Sequence, residues 1–301
     1  MKENRTQRPV SSSAVARLVI WLAVFCIFAG LLACGLTDTN LSIKWMGIPL
    51  FQSGAVIRYD DSGYSVGNGT VSAAVTELSV EWVAGNVTVV ASEGEEILIE
   101  ENYSGEKDKE RLRWKVEDGE LDIKFCAPLV RDNRDADRKD LTVSIPSAML
   151  EAMDSVSITG VNCDISYTGN GDELSLTTVN GAVTVSGDIG ELDVEAVDLS
   201  MTFRGGVRRA DVECVSGNVT MYLDMAAALS FDQLNGDVTL YLSEDITGFA
   251  TERDSLGVHV ETEGFESVIR LSDAVYWGDK SLRIDIDGLE SKLKIEKLTK
   301  N

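Results

Sequence analysis

Few residues in this chain could do chemistry, and they are scattered. Gly63-Tyr64-Ser65-Val66-Gly67 fits the G-x-S-x-G pattern that presents a nucleophilic serine on a sharp turn. That chemistry needs a strand leading in, a helix leading out and a histidine base. The flanks D-D-S and N-G-T carry no helical pattern, so the match reads as chance. The single histidine, His259, lies in the alternating stretch G-V-H-V-E and reads as an outward strand residue. One histidine also removes most histidine-based catalysis and most zinc sites. Cys126, Cys163 and Cys214 are odd in number and lack motif spacing, so they read as buried thiols, although one pairing among them stays open. Asn86, Asn102 and Asn218 head N-x-S/T triplets that read as incidental, two of them by-products of a repeat. No phosphate loop, C-x-x-C pair, H-E-x-x-H or calcium loop occurs. Neither catalytic residues nor a cofactor is expected.

One constellation does suggest binding. Asp193 and Glu195 recur one repeat later as Asp211 and Glu213, with Asp232 beyond. If the repeats stack, these carboxylates lie about 5 Å apart on one face and repel unless neutralised. Arg204, Arg208 and Arg209 are near enough in sequence to compensate them. The alternative is a cation site made by Asp193, Glu195, Asp211 and Glu213.

The elements that would position these residues come from a repeat. V-N-C-D-I-S-Y at Val161 returns as V-N-G-A-V-T-V at Val179, V-D-L-S-M-T-F at Val197, V-S-G-N-V-T-M at Val215 and L-N-G-D-V-T-L at Leu234. The intervals are 18, 18, 18 and 19 residues, with an early copy at Val83 and a degenerate one at Leu289. Apolar residues alternate with polar ones before each corner (Leu174/Leu176, Leu192/Val194, Leu229/Phe231) and after it (Val183/Val185, Met201/Phe203, Val238/Leu240). Period-two alternation buries one face of a strand and wets the other. The Asn-Gly or Ser-Gly step is expected to supply positive φ at the corner, with Cys163 and Leu199 as exceptions. Equal unit lengths favour a β-solenoid over a hairpin meander, since they stack like residue on like residue. Ser166, Thr184, Thr202, Thr220 and Thr239 would then form an outward hydroxyl ladder, read as structural.

The fold class is therefore all-β: a β-solenoid of ~18-residue two-strand repeats preceded by one N-terminal transmembrane helix. The regular repeats occupy about 156–242 and a C-terminal cap 243–301. Residues 92–145 suggest further strands at 96–100, 112–116, 121–125 and 141–145, and the loop 131–140 reads as a solvated excursion. Residues 37–75 read as a stalk or irregular segment, and the β-repeat ectodomain as 76–301.

The N-terminus sets the compartment. Lys2, Arg5, Arg8 and Arg17 stand against Glu3 in a stub, 1–17, followed by nineteen uncharged residues from Leu18 to Leu36. At ~1.5 Å per residue this is about 28 Å, a bilayer's hydrocarbon thickness. The positive-inside rule places the stub in the cytoplasm and the rest outside. Leu31-Leu32-Ala33-Cys34 also resembles a lipoprotein cleavage box, with Cys34 as the lipidated residue, and ordinary cleavage is a third option. Of 27 basic and 50 acidic residues, 4 and 1 precede residue 37, leaving 23 and 49 and a net charge of −26 beyond it. That balance disfavours nucleic acid as a partner.

T-E-L-S-V-E-W-V-A-G-N-V-T-V at 76–89, L-T-V-S-I-P at 141–146 and the T-V-N-G-A-V-T-V repeats together make the chain resemble the putative-adhesin family of β-strand-repeat membrane proteins, common in Gram-positive bacteria. The resemblance covers about residues 76–301. It implies an envelope role and carries over no catalytic residue. The function expected is a non-enzymatic envelope surface protein that binds or scaffolds, its partner an envelope protein or glycan. A regulatory role in envelope stress, acting through a membrane partner, is the first rival. A polysaccharide-cleaving β-helix enzyme is the second, and it would need clustered acids beside an Arg or Lys base in a groove.

Overall fold

The computed structural model describes residues 42–45, 48–52, 59–105, 107–128, 138–253, 257–272 and 274–298. The expected membrane segment 18–36 and Cys34 lie outside them. Among the described residues no helix is long and apolar enough to cross a membrane. The chain divides into two units. In the first, β1 (Ser42–Trp45) and β2 (Ile48–Gln52) form an antiparallel hairpin.

The second unit is all-β, and its backbone pairing follows the repeat. β10 (Ser155–Thr168) and β11 (Gly171–Ser186) pair in parallel, with Val156 opposite Leu174 and Ile165 opposite Val183. β11 pairs in the same sense with β12 (Ile189–Leu242), Leu174 opposite Leu192 and Val183 opposite Met201. Both registers are shifts of eighteen residues. β12 is long enough to continue through three layers, and its backbone contacts repeat the shift: Gly217 lies against Leu199, and Gly236 against Gly217. Residues Leu174, Leu176, Leu192, Val194, Val212, Leu229 and Phe231 are buried, as are Val183, Val185, Met201, Phe203, Val219, Met221, Val238 and Leu240. Each such side chain contributes about 1.5–3 kcal/mol on leaving water. No single layer could bury this alternating face alone, so stacking is what makes the repeat stable.

The distant copies join the stack out of chain order. β5 (Glu77–Ser92) contains the early copy and pairs in parallel directly with β10, Val80 opposite Ile158 and Val87 opposite Ile165. The intervening residues fold back on its other side. There β8 (Glu120–Lys124) and β9 (Asp140–Pro146) pair in parallel with β5, while β6 (Ile97–Asn102) and β7 (Arg113–Glu117) add antiparallel to β9 and β8. Two short strands, β3 (Ser65–Val66) and β4 (Gly69–Val71), extend that end, so the sheet begins upstream of residue 76.

At the other end the degenerate copy takes the next layer. β17 (Leu282–Asp287) and β18 (Glu290–Lys297) pair in parallel with β12, whereas β13 (Gly248–Arg253) and β14 (Val258–Glu263), earlier in sequence, lie beyond them. β16 (Ala274–Gly278) and β15 (Ile269–Arg270) close that edge antiparallel.

Two local expectations change. Among the corner glycines, Gly85 and Gly236 have positive φ (118° and 148°), but Gly181 and Gly217 do not. At Gly181 the constraint is space: a Cβ would stand 2.0 Å from the Cys163 carbonyl oxygen of the layer before. The segment 131–140 is not solvated at its C-terminal end, because Lys139 is 1% exposed.

Candidate functional site

The outward positions of the first strand in each layer form one face, and the register fixes what stands there. Glu173, Ser175 and Thr177 lie opposite Glu191, Asp193 and Glu195. The next layer of β12 brings Asp211 and Glu213, then Asp232. Ser230 and Asp232 lie opposite Asp285 and Asp287 of β17, and Asp285 opposite Glu252 of β13. Carboxylates therefore follow one another from layer to layer, at the strand spacing of about 4.8 Å.

Cations compensate this face at its ends. Upstream, Lys124 Nζ lies 2.8 Å from Glu81 Oε1 and 3.0 Å from Asp122 Oδ1. Downstream, Arg283 donates to Glu252 Oε2 at 3.0 Å. In the middle, among the described residues, Asp193, Glu195, Asp211 and Glu213 form no ion pair. The arginines expected to neutralise them are mostly elsewhere. Arg208 lies 3.6 Å from Asp172 and Glu191 at the rim. Arg204 stacks on the Tyr222 ring at 3.8 Å, and Tyr222 in turn stacks on Tyr241. Of these arginines only Arg209 acts on the cluster, partly opposing the rise at Asp193.

The charges register this arrangement. Burial, then the charges of Asp211, Asp232, Glu195 and Asp193, push the Glu213 carboxyl up to about 7. Burial with Asp211 and Glu173 raises Asp193, and burial with Asp193 and Asp211 raises Glu195. These are desolvation and like-charge effects, both of which disfavour the ionised form. Asp211 Oδ1 is buried and has no hydrogen-bond partner. Among the described residues no three acidic, histidine or cysteine side chains are grouped so as to hold a metal ion. Asp193, Glu195, Asp211 and Glu213 follow the stack as two files, a layout suited to an extended cationic surface.

The remaining candidates stay apart. Ser65 is exposed in β3, at the opposite end of the sheet from His259 in β14, and no helix follows it. His259 is exposed, its Nε2 3.4 Å from Glu261 Oε1. It borders an open cleft of about 460 Å³, in which Lys294 pairs with Glu263 at 3.2 Å and Arg270 donates to the Thr262 hydroxyl at 2.6 Å. Cys126, Cys163 and Cys214 are buried, and burial pushes each thiol up to about 11. The triplet asparagines Asn86, Asn102 and Asn218 are exposed on strands.

On the opposite face the hydroxyl ladder forms and is longer than expected. Ser166 stands between Thr88 and Thr184, Thr88 lies opposite Thr142, and Thr184 opposite Thr202. The file ends where Thr239 meets Lys294.

Sequence reasoning missed the Lys139 pocket. The Lys139 ammonium contacts Glu101 Oε1 at 2.5 Å and donates to the Glu110 carbonyl at 2.7 Å and to the Phe125 carbonyl. The rings of Phe125, Trp82 and Tyr103 surround it at 4.0, 5.1 and 5.3 Å. Burial pulls its pKa down against the pull of Glu101. No local pattern in R-D-N-R-D-A-D-R-K-D distinguishes this lysine from its neighbours.

No family model and no curated protein matches the chain. Solved structures do show likeness. A putative cell adhesion protein from Clostridium sporogenes matches at 10% identity and a TM-score of 0.35, over 78% of this chain and all of its own. A putative adhesin from Bacteroides fragilis matches at 14% identity and 0.28, over 78% of this chain and 98% of its own. One from Parabacteroides distasonis matches at 12% and 0.32, over 78% and 97%. Identities and TM-scores this low leave the chain's own residues to carry the function.

Proposed function

We propose that the chain is a non-enzymatic surface module of the cell envelope, a β-solenoid that binds a positively charged partner through its acidic face. Residues 18–36 would anchor it, with the stub 1–17 in the cytoplasm and the β-rich region outside. The observation that carries this reading is the middle of the face, where Asp193, Glu195, Asp211 and Glu213 form no ion pair among the described residues. Burial and the neighbouring carboxylates raise Asp193, Glu195 and Glu213, although basic residues serve both ends of the same face. Retaining such repulsion is costly, and a cationic partner relieves it. A rigid parallel stack suits recognition by shape and charge, because its side chains are held in register at little entropic cost on binding.

The test is binding of the full chain to a synthetic lysine-rich peptide at low salt, compared with the variant D193N/E195Q/D211N/E213Q. Binding should weaken at least tenfold in the variant and fall with salt. Equal binding by the two proteins would remove the acidic face from the proposal. External protease that spared a C-terminal tag on intact cells would remove the placement.

A further inference from the structure

The end strands of the sheet are protected unequally. Among the described residues four strands pair on one side only: β3, β4, β14 and β15. Three of them are short and antiparallel, β3 and β15 of two residues and β4 of three. β14 has six residues and pairs in parallel with β18. An edge strand of that length presents a row of backbone donors and acceptors to any other strand that reaches it, whereas very short edges do not.

A single side chain covers the outer row of β14. Ser291 N–H donates to the Gly257 carbonyl, so alternation turns the backbone groups of His259 and Glu261 toward β18 and those of Val260 and Thr262 away from it. Arg270 of β15 reaches across the cleft to that outward row. Its Nη1 donates to the Val260 carbonyl at 3.1 Å, and its Nη2 to the Thr262 hydroxyl at 2.6 Å. The flanking Ile269 and Leu271 are 57% and 52% exposed, so the guanidinium, rather than apolar packing of its neighbours, ties β15 to β14.

We propose that β14 is a self-association edge that Arg270 holds closed: once the guanidinium leaves, the β14 strands of two copies pair antiparallel across a two-fold axis at Val260. Outward backbone groups and charge together dictate this register. Each Val260 N–H then donates to the second copy's Val260 carbonyl. His259 stands opposite the second copy's Glu261, an imidazole N–H against a carboxylate, and Val258 opposite its Thr262. A centre at Thr262 would set Glu261 against Glu263, and a centre at Glu261 would face backbone groups already turned to β18. Lys292 and Lys294 engage Glu261 and Glu263 at 2.8 and 3.2 Å, so the edge offers no bare acidic patch to a basic peptide. A second copy brings a matching histidine instead. β14 lies beyond the hydroxyl ladder, away from the acidic face, so this role does not rest on that face's partner.

The experiment compares the full chain in mild detergent with R270S and R270S/T262P, by sedimentation over a range of concentrations and by hydrogen exchange. Proline at 262 removes an outward N–H and leaves the bonds to β18 in place. R270S should form dimers at concentrations where the native chain does not, and R270S/T262P should return to the native mass. The Val260 and Thr262 amides should exchange about tenfold more slowly in R270S than in the native chain, while the Glu261 amide stays protected in all three. R270S that sediments like the native chain would overturn the latch. Association that survives T262P, or that comes with lost protection at Glu261, would overturn the edge pairing.

Discussion

Two regions of this molecule take charge out of water, and they do so in opposite ways. Lys139 is 1% exposed, yet Glu101, two backbone carbonyls and three aromatic rings answer its charge. In the middle of the acidic face Asp193 is exposed and Glu195, Asp211 and Glu213 are only partly buried, but these four answer one another with like charge. Burial pulls the lysine's pKa down and Glu101 opposes that pull, whereas burial and like charge push Glu213 up to about 7. What differs is pairing rather than depth. A desolvated charge with partners is structure, and a partly desolvated charge without them is available for a proton or a ligand.

Breaking the better-paired region should have the largest effect. K139M leaves Glu101 buried without its cation and should cost about 3–5 kcal/mol, read as the loss in a denaturant titration. The double variant K139M/E101L should recover most of that loss, because an apolar pair of similar volume replaces both charges. If the double variant is as unstable as the single one, the aromatic surround rather than the ion pair is what Lys139 supplies. On the acidic face the sign reverses. E213Q should stabilise the chain by about 1 kcal/mol at pH 8.5, a discounted figure for a group still partly solvated, and do nothing near pH 4.5. The smallest effect belongs to the opposite face, where T202V in the hydroxyl ladder should change stability by less than about 0.5 kcal/mol. A larger loss there would mean that the threonine file bears more of the stack than its neutral, half-exposed residues indicate.

Legibility differed between these regions for a physical reason. The repeat of eighteen residues, the alternation of Leu174/Leu176 with outward polar residues, and the file from Ser166 to Thr239 were all readable, because each depends on positions a fixed distance apart in sequence. The acidic face was readable as far as Asp232 for the same reason. Its continuation through Asp285, Asp287 and Glu252 was not, because β17 enters the stack before β13 and so breaks chain order. The expected arginine compensation failed on direction: Arg204 alternates onto the tyrosine-bearing face, although it is only nine residues from Glu195. The Lys139 pocket was illegible altogether. It joins residues from β5, β6, the turn after β8 and the approach to β9, and no spacing within any of them signals the others.

Composition and periodicity by themselves determined the class of fold, the two-strand layer, the apolar interior and the charge of the surface, since these follow from local alternation and from counting. Tertiary structure decided which layers became neighbours, which carboxylates found a cation, and where a single lysine could be buried. Those outcomes depend on contacts between segments far apart in the chain, whose energies are fixed only once the layers have chosen their order.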